Sequence, residues 1–378
     1  TTDATQSDIR TTGGNGSIVL RTTAGSITLN NGTAPGTAST PADDSAVSAH
    51  GSGNILIQAL GAGTDITANA DITSSSGNVS VLAARDLSFA ADADVRTAST
   101  GTGNGSIDLE AGTGAITMSA SSVLLSTGAS ATARLQAGTS VTVGDISLAA
   151  GAVSITAGTS ILDADAVTTT NDADQDITAL SLRLNAGAVI AHSVNHLETT
   201  VGSLTASSAG SVYLLEADDL TVGSVAVSVN RVGSAAGVST VTDAAQADVR
   251  TSANGSIVLR STAGDLTLTD GNADGASVSA HGTGNVLVQA MNAGKSITVN
   301  ADVATATGNI TVLAGLDVTL STNADLLITD ATPGTASIDA EATAGALLMS
   351  SSSTMSSSGT GATARLQAGT SVTVGDIS

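Results

Sequence analysis

ATARLQAGTSVTVGDIS, residues 131–147, recurs letter for letter as residues 362–378. The copies lie 231 positions apart, so the 378 residues read as a window on a longer periodic array. Within it, TARLQAG (132–138) is one of a series of short strand-like openings: GSIVLR (16–21), GNILIQA (53–59), GNVSVLA (77–83), GSIDLEA (105–111) and AVSITAG (152–158). Ile18 alternates with Leu20 and Ile27 with Leu29, placing apolar residues on one face as a half-buried strand requires. Ile55, Val79 and Ile107 hold the same place in successive openings. A recurrence every ~20–28 residues signals stacked supersecondary units.

Between the openings lie further strand-like runs, DITANADI (65–72), DLSFAADADV (86–95) and AITMSASSVLL (115–125), separated by Gly-rich or Asn/Asp corners. Each unit thus holds two or three short strands and returns above its start. The pattern predicts an all-β fold, a right-handed parallel β-helix (β-solenoid) of about 20–28 residues per coil. Helical periodicity is missing, and alanine-rich runs are broken by Gly, Thr and Ser, which are poor in helix interiors.

Composition agrees. One Phe (Phe89), one Tyr (Tyr213), no Trp and no Cys leave small and β-branched residues to fill the interior, which suits thin repeated layers. A hydrophobic fraction of 41% with positive mean hydropathy argues against disorder. The formal charge of −22, with a single lysine (Lys295), repels phosphate backbones, so no nucleic-acid partner is expected. No apolar run approaches the roughly 18 residues that span a bilayer, so no membrane insertion is expected. The absence of cysteine fits a secreted bacterial protein. With no initiating Met and no signal-peptide pattern, the chain is expected to be an interior or processed fragment.

The repeat also sets the domain reading. Residues 1–239 form a first superrepeat and residues 240–378 a second, incomplete one continuing the same solenoid. GSIVLR recurs at an offset of 239, but from His50, matched by His281, the offset is 231. Eight residues are therefore lost within 31–48, NGTAPGTASTPADDSAVS, which carries Pro35 and Pro41 and reads as a corner-loop insertion. Residues 148–239 occur once and read as further coils, with Tyr213 outside or at a corner.

The GSIxL and GNVxVLA openings, together with SVYLLEADDLTVG (211–223), make the whole chain resemble the giant repetitive surface proteins of Gram-negative and related bacteria, of the filamentous-haemagglutinin-like adhesin type. The resemblance implies a parallel β-helix, export to the cell surface, and a role as shaft or adhesive filament.

Several constellations point to ligands. Asp172, Asp174 and Asp176 are the strongest calcium candidates, since calcium takes carboxylate oxygens, and calcium is the one cofactor considered. The β-roll pattern fails at Gly13-Gly14-Asn15-Gly16-Ser17, where Ser stands in place of the ligand Asp. The acidic pairs Asp43-Asp44, Asp163/Asp165 and Asp218-Asp219 could take calcium in the same way, against a plainer reading of all these acids as solvated loop residues. His192, His196 and Glu198 would share one strand face as a metal site, against a plainer reading as surface residues near a corner. Asn-x-Ser/Thr triplets at Asn15, Asn31, Asn78, Asn104, Asn254 and Asn309 are glycan acceptors in form, but most sit at strand openings where Asn is a turn residue. Arginines recur at matching positions, Arg21 with Arg260 and Arg134 with Arg365, whereas an enzyme site should occur once.

The sequence therefore leads to a structural segment of an extracellular, cell-surface fibre or adhesin shaft, with no catalytic residue assigned. Its expected partners are further repeats of the same chain, lateral self-association, and a surface glycan or protein receptor. The alternatives are a carbohydrate-active parallel β-helix enzyme, which needs a unique cleft of Asp, Glu and Arg, and a calcium-dependent adhesive module.

Overall fold

The spacing between apolar openings is the step from one coil to the next. In the computed structural model, which describes residues 8–32, 44–97, 105–165, 174–329 and 336–378, Ile55 lies beside Val79 and Val79 beside Ile107 in parallel register. Ile107 then lies beside Ala133, and Ala133 beside Val153. Among the described residues there is no helix, and the chain is an all-β parallel β-solenoid. It divides into two compact units, Thr1–Ala166 with Thr178–Leu180 and Val227–Ala244, and Val167–Ile177 with Ser181–Ala226 and Ala245–Ser378. The superrepeat is a period of sequence and the units are bodies of contact; they divide the chain differently.

In unit 1 each coil lays one strand on each of three faces. Ile55–Ala59, Ile66–Ala68 and Asp71–Ser74 make one coil; Val79–Ala83, Leu87–Phe89 and Val95–Thr97 make the next; Ser106–Ala111, Ile116–Met118 and Val123–Ser126 the one after. Alternation sends every second side chain inward, and register stacks those chains in columns: Ile57, Val81, Leu109, Leu135 and Ile155 on the first face, all buried. The strands end in a column of alanines, Ala59, Ala83, Ala111, Ala137 and Ala157, just before the chain turns a corner. Phe89 fits because it stacks between Ala68 and the flexible Met118. Unit 2 repeats the plan, with Ile257, Val286, Ile310 and Ile338 in register on its first face.

The corners explain the Gly-Asn openings. A Cβ added to Gly77 would sit 2.1 Å from the Gly53 carbonyl oxygen, and one added to Gly308 would sit 2.0 Å from that of Gly284. Only glycine lets successive backbones approach so closely. A hydroxyl from the third face then ties the coils. Ser74 Oγ donates to Gly53 O (2.8 Å) and accepts from Gly77 N (2.8 Å); in unit 2, Thr305 does the same between Gly284 and Gly308. Beside them Asn78 N and Nδ2 both donate to Asn54 Oδ1, at 2.9 and 3.0 Å, and Asn309 repeats this on Asn285. Asn78 and Asn309 thus serve as coil-to-coil ties.

Two expectations change on the structure. Within 31–48, residues 33–43 lie outside the described residues, but Ser45–Ala49 is a strand with Val47 buried, paired to Asp71–Ser74. Its alternation is too short, so close to Pro41, to stand out. Within 148–239, the strands Leu197–Ser208, Val212–Glu216 and Leu220–Val222 belong to coils, whereas Ser224–Val232 and Val238–Ala247 pair, among the described residues, only with each other. Joined by a short turn, they form a β-hairpin, whose Gly233 N donates to Gly237 O (2.8 Å). Alternation in SVAVSV announces a half-buried strand without distinguishing a coil from a hairpin arm.

Gly77→Ala is expected to lower stability by roughly 1–3 kcal/mol, because the backbone must move to admit the methyl group. Gly13→Ala, where a Cβ meets nothing within 4 Å, should change it by less than about 0.5 kcal/mol. Urea unfolding of the two variants checks the difference.

Candidate functional site: a charged clasp beneath the hairpin

Part of the acidic surplus of the sequence is put to use at the corners. Asp65 Oδ1 accepts from Asp86 N (3.2 Å), Asp86 Oδ1 from Ala115 N (2.9 Å), Asp71 Oδ1 from Asp94 N (2.9 Å) and Asp94 Oδ1 from Val123 N (2.6 Å). In unit 2, Asp219 caps Asp265 N, Asp265 caps Ser296 N, Asp302 caps Asp325 N and Asp325 caps Thr354 N. Each carboxylate satisfies an amide of the following coil that the ladder leaves over. Asp219, of the Asp218-Asp219 pair weighed as a calcium ligand against a solvated loop acid, is one of these caps.

The densest charge cluster lies in unit 1. On the first face the outward row runs Leu56, Ser80, Asp108, Arg134, Ser154 in register, and all five are buried. Hairpin residues 227–244 lie across it. Asn54 Nδ2 donates to Ala236 O at the hairpin turn (3.0 Å), and Val232 N donates to Ser80 Oγ (2.9 Å). Arg231 donates through Nε to Asp108 Oδ2 and through Nη2 to Glu110 Oε2, both at 2.5 Å. Arg134 Nη1 reaches Asp108 Oδ1 (3.2 Å), and its Nε donates to Asp243 Oδ1 (3.0 Å), whose other oxygen accepts from Ser154 Oγ (2.6 Å). Val227, Val229 and Val232 are buried on the same hairpin. Burial works against the Arg231 cation; the hydrogen bonds and charge of Asp108, then of Glu110, more than reverse it and hold its pKa above the usual arginine value.

Two arginines and three carboxylates so arranged form a closed clasp. Asp108 has no exposed side-chain surface, and both it and Glu110 are held by guanidinium groups. The sequence reading noticed Arg134 as a repeated position but missed its partners. Arg231 is 123 residues from Asp108, and nothing local links them.

Of the calcium candidates, Asp172 lies outside the described residues. Asp174 is exposed and accepts from Gln175 N (3.0 Å); Asp176 is buried, and its Oδ2 accepts from Glu198 N (2.7 Å). A trio not singled out in the sequence, Asp248, Asp270 and Asp274 of unit 2, brings its carboxylate oxygens within 4.8 Å of one another. Arg250 Nη2 donates to Asp248 (2.7 Å) and to Asp274, while Asp270 accepts from Asn272, Ala273 and Gly275 amides at 2.7–2.9 Å. The run DGNADG (270–275) was the available signal. Of the histidine group, His192 is exposed in a turn, but His196 and Glu198 are buried, against the surface reading. The His196 ring stacks on Tyr213 at 5.6 Å, and His192 bonds to Asn195 across a tight turn that separates it from His196 and Glu198, so the three do not share one strand face.

The chain matches no family model, no curated protein and no solved structure.

Burial, with the Arg260 charge behind it, depresses the His196 pKa to about 4. The neutral ring is therefore stabilising above the unfolded value near 6.5, and that stability is lost as pH falls through 6.5 toward 4. Glu216 acts in the opposite sense. Burial pushes it up to about 8, against hydrogen bonds from Thr199 and the Val201 amide, so its contribution fades as pH rises from about 4.5 through 8. His196→Phe keeps a ring on Tyr213 and removes one titration. Between pH 7.5 and 4.5 it should lose about 2–3 kcal/mol less than the parent, measured by denaturant unfolding at both pH values.

Arg231→Ala is expected to cost about 3 kcal/mol or less, since Arg134 still faces Asp108. Hydrogen exchange should accelerate in Val227–Val232 and leave Val79–Ala83 protected.

Proposed function

We propose that this chain is a structural segment of an extracellular fibre or adhesin shaft. The observation that carries the reading is the in-register repetition of Gly, Asn and hydroxyl ties from coil to coil, as at Gly53/Gly77 and Gly284/Gly308. Parallel coils that bond only to their neighbours make stability additive along the stack, which suits an element whose task is reach. The side-chain chemistry supports the same reading. The carboxylates at the corners cap amides, and those of the clasp are held by arginine, so they are spent on holding coils and hairpin together. The −22 charge would keep such a surface soluble.

The test is immunogold electron microscopy of intact source cells with antibodies raised against the folded chain. Labelled thin fibres outside the cell, with label recurring along their length, are the expected result. Labelling only after permeabilisation would overturn the surface role, and release of soluble sugar from polysaccharide by the purified chain would favour the carbohydrate-active alternative.

A further inference from the structure

In this chain 33 acidic residues face 11 basic ones, so an arginine without an acid beside it stands out. Arg96, Arg134, Arg231 and Arg250, all buried or half-buried, each lie against an Asp. Arg260 does not. It is half-buried on the first face of unit 2, and its guanidinium makes one hydrogen bond among the described residues, from Nε to Gln289 Oε1 (3.0 Å). Its neighbours carry no charge: register sets Leu215 before it and Gln289 after it in the outward row, with Val258 beside it on its own strand and Tyr213 and Leu287 on the diagonals. Burial holds its pKa below the usual arginine value, and no neighbouring carboxylate reverses this as Asp108 and Glu110 do for Arg231.

A partly desolvated cation with no counter-ion is a cost to the fold that calls for an occupant. The superrepeat keeps it all the same. Arg21 stands for Arg260 and Gln58 for Gln289, and Arg21 Nε donates to Gln58 Oε1 in the same way (2.8 Å). Nearby positions drift, Ile55 to Val286 and Ser80 to Thr311, while the Arg-Gln pair is unchanged. The pair also defines a donor set. Because Gln289 Oε1 accepts from Arg260, its Nε2 is left to donate, and with Nη1 and Nη2 it makes three donor nitrogens and no acceptor. The end-on guanidinium fork matches the two oxygens of a planar carboxylate. A single negative charge fits better than a phosphate dianion or a polyanion, which the −22 charge of the chain repels.

We propose that Arg260 and Gln289 form a binding site for the carboxylate of a sugar acid, whose ring lies over the half-buried side chains of Tyr213, Val258 and Leu287. A peptide carboxylate is the poorer occupant of this face. Val212–Glu216, Ile257–Ser261 and Val286–Ala290 form one continuous ladder, so an extended peptide finds no free backbone edge beside Arg260, whereas a sugar needs only side chains. The Arg21-Gln58 pair repeats the donors in unit 1, so a ligand carrying several sugar acids gains by engaging both. A surface glycan as the natural carrier rests on the shaft reading; the carboxylate site itself does not.

Tyr213 is the one tyrosine and the chain has no tryptophan, so tyrosine fluorescence reports from the coil beside Arg260. Titrating the full chain with glucuronate at constant ionic strength should give a saturable change that glucose does not give. Arg260→Gln should abolish it, and Arg260→Lys, which keeps the charge and loses the fork, should weaken binding roughly tenfold or more. Arg85→Gln, which removes an exposed guanidinium already held by Asp65, should leave it unchanged. Circular dichroism verifies that each variant is folded, and Arg260→Lys with the glucose comparison keeps the test open if Arg260→Gln unfolds. No saturable change, an equal change with glucose, or parent-like binding by Arg260→Gln would overturn the site. N-acetylglycine binding as tightly as glucuronate would overturn the choice of a sugar acid. The shaft reading stands or falls separately, on the immunogold labelling.

Discussion

The fold depends on how closely one coil's backbone can lie on the next at the corner before the first face. Strands at ladder spacing need the chain to return to its starting point about 4.8 Å higher, and the corner is where side chains would prevent it. Stacked glycines remove that obstacle: a Cβ on Gly53 would stand 2.1 Å from Gly16 O, and one on Gly284 2.0 Å from Gly255 O. Once the corner closes, alternation alone delivers the inward columns, and register makes each residue's neighbour the equivalent residue of the next coil. Ile, Val, Leu and Ala exchange along a column because only volume and direction matter there.

This explains why so much of the architecture was legible in the sequence. The steps between openings are the register of Ile55 on Val79 and of Val79 on Ile107. The Gly-Asn pairs that mark the openings are physically the close backbone approach and the side-chain tie. Both signals are local and repeat. What did not repeat within the chain was harder to see. Ser224–Ala247 has the alternation of a coil and becomes a hairpin, since the decision lies in partners far off along the chain, Asp108 and Asn54 among them.

The acidic residues teach a related lesson. Read by composition they suggest a surface field, and read by spacing they suggest calcium. Placed in three dimensions, Asp65, Asp71, Asp86 and Asp94 are caps, each accepting an amide of the following coil. His196 and Glu198, expected near the surface, are buried, and a tight turn at His192–Asn195 sets them apart from the exposed His192, which no pattern of polar and apolar residues announces.

The central claim is the parallel register of unit 1, and a distance between spin labels tests it most directly. Arg21, Gln58, Leu82, Glu110 and Gln136 occupy successive positions of one outward row. Labels at residues 21 and 136 are therefore four rungs apart, about 19 Å between backbones. A double electron–electron resonance distribution centred within several ångströms of that value is the expected result. A centre beyond about 35 Å, or a broad distribution with no preferred distance, would contradict the stacked-coil fold.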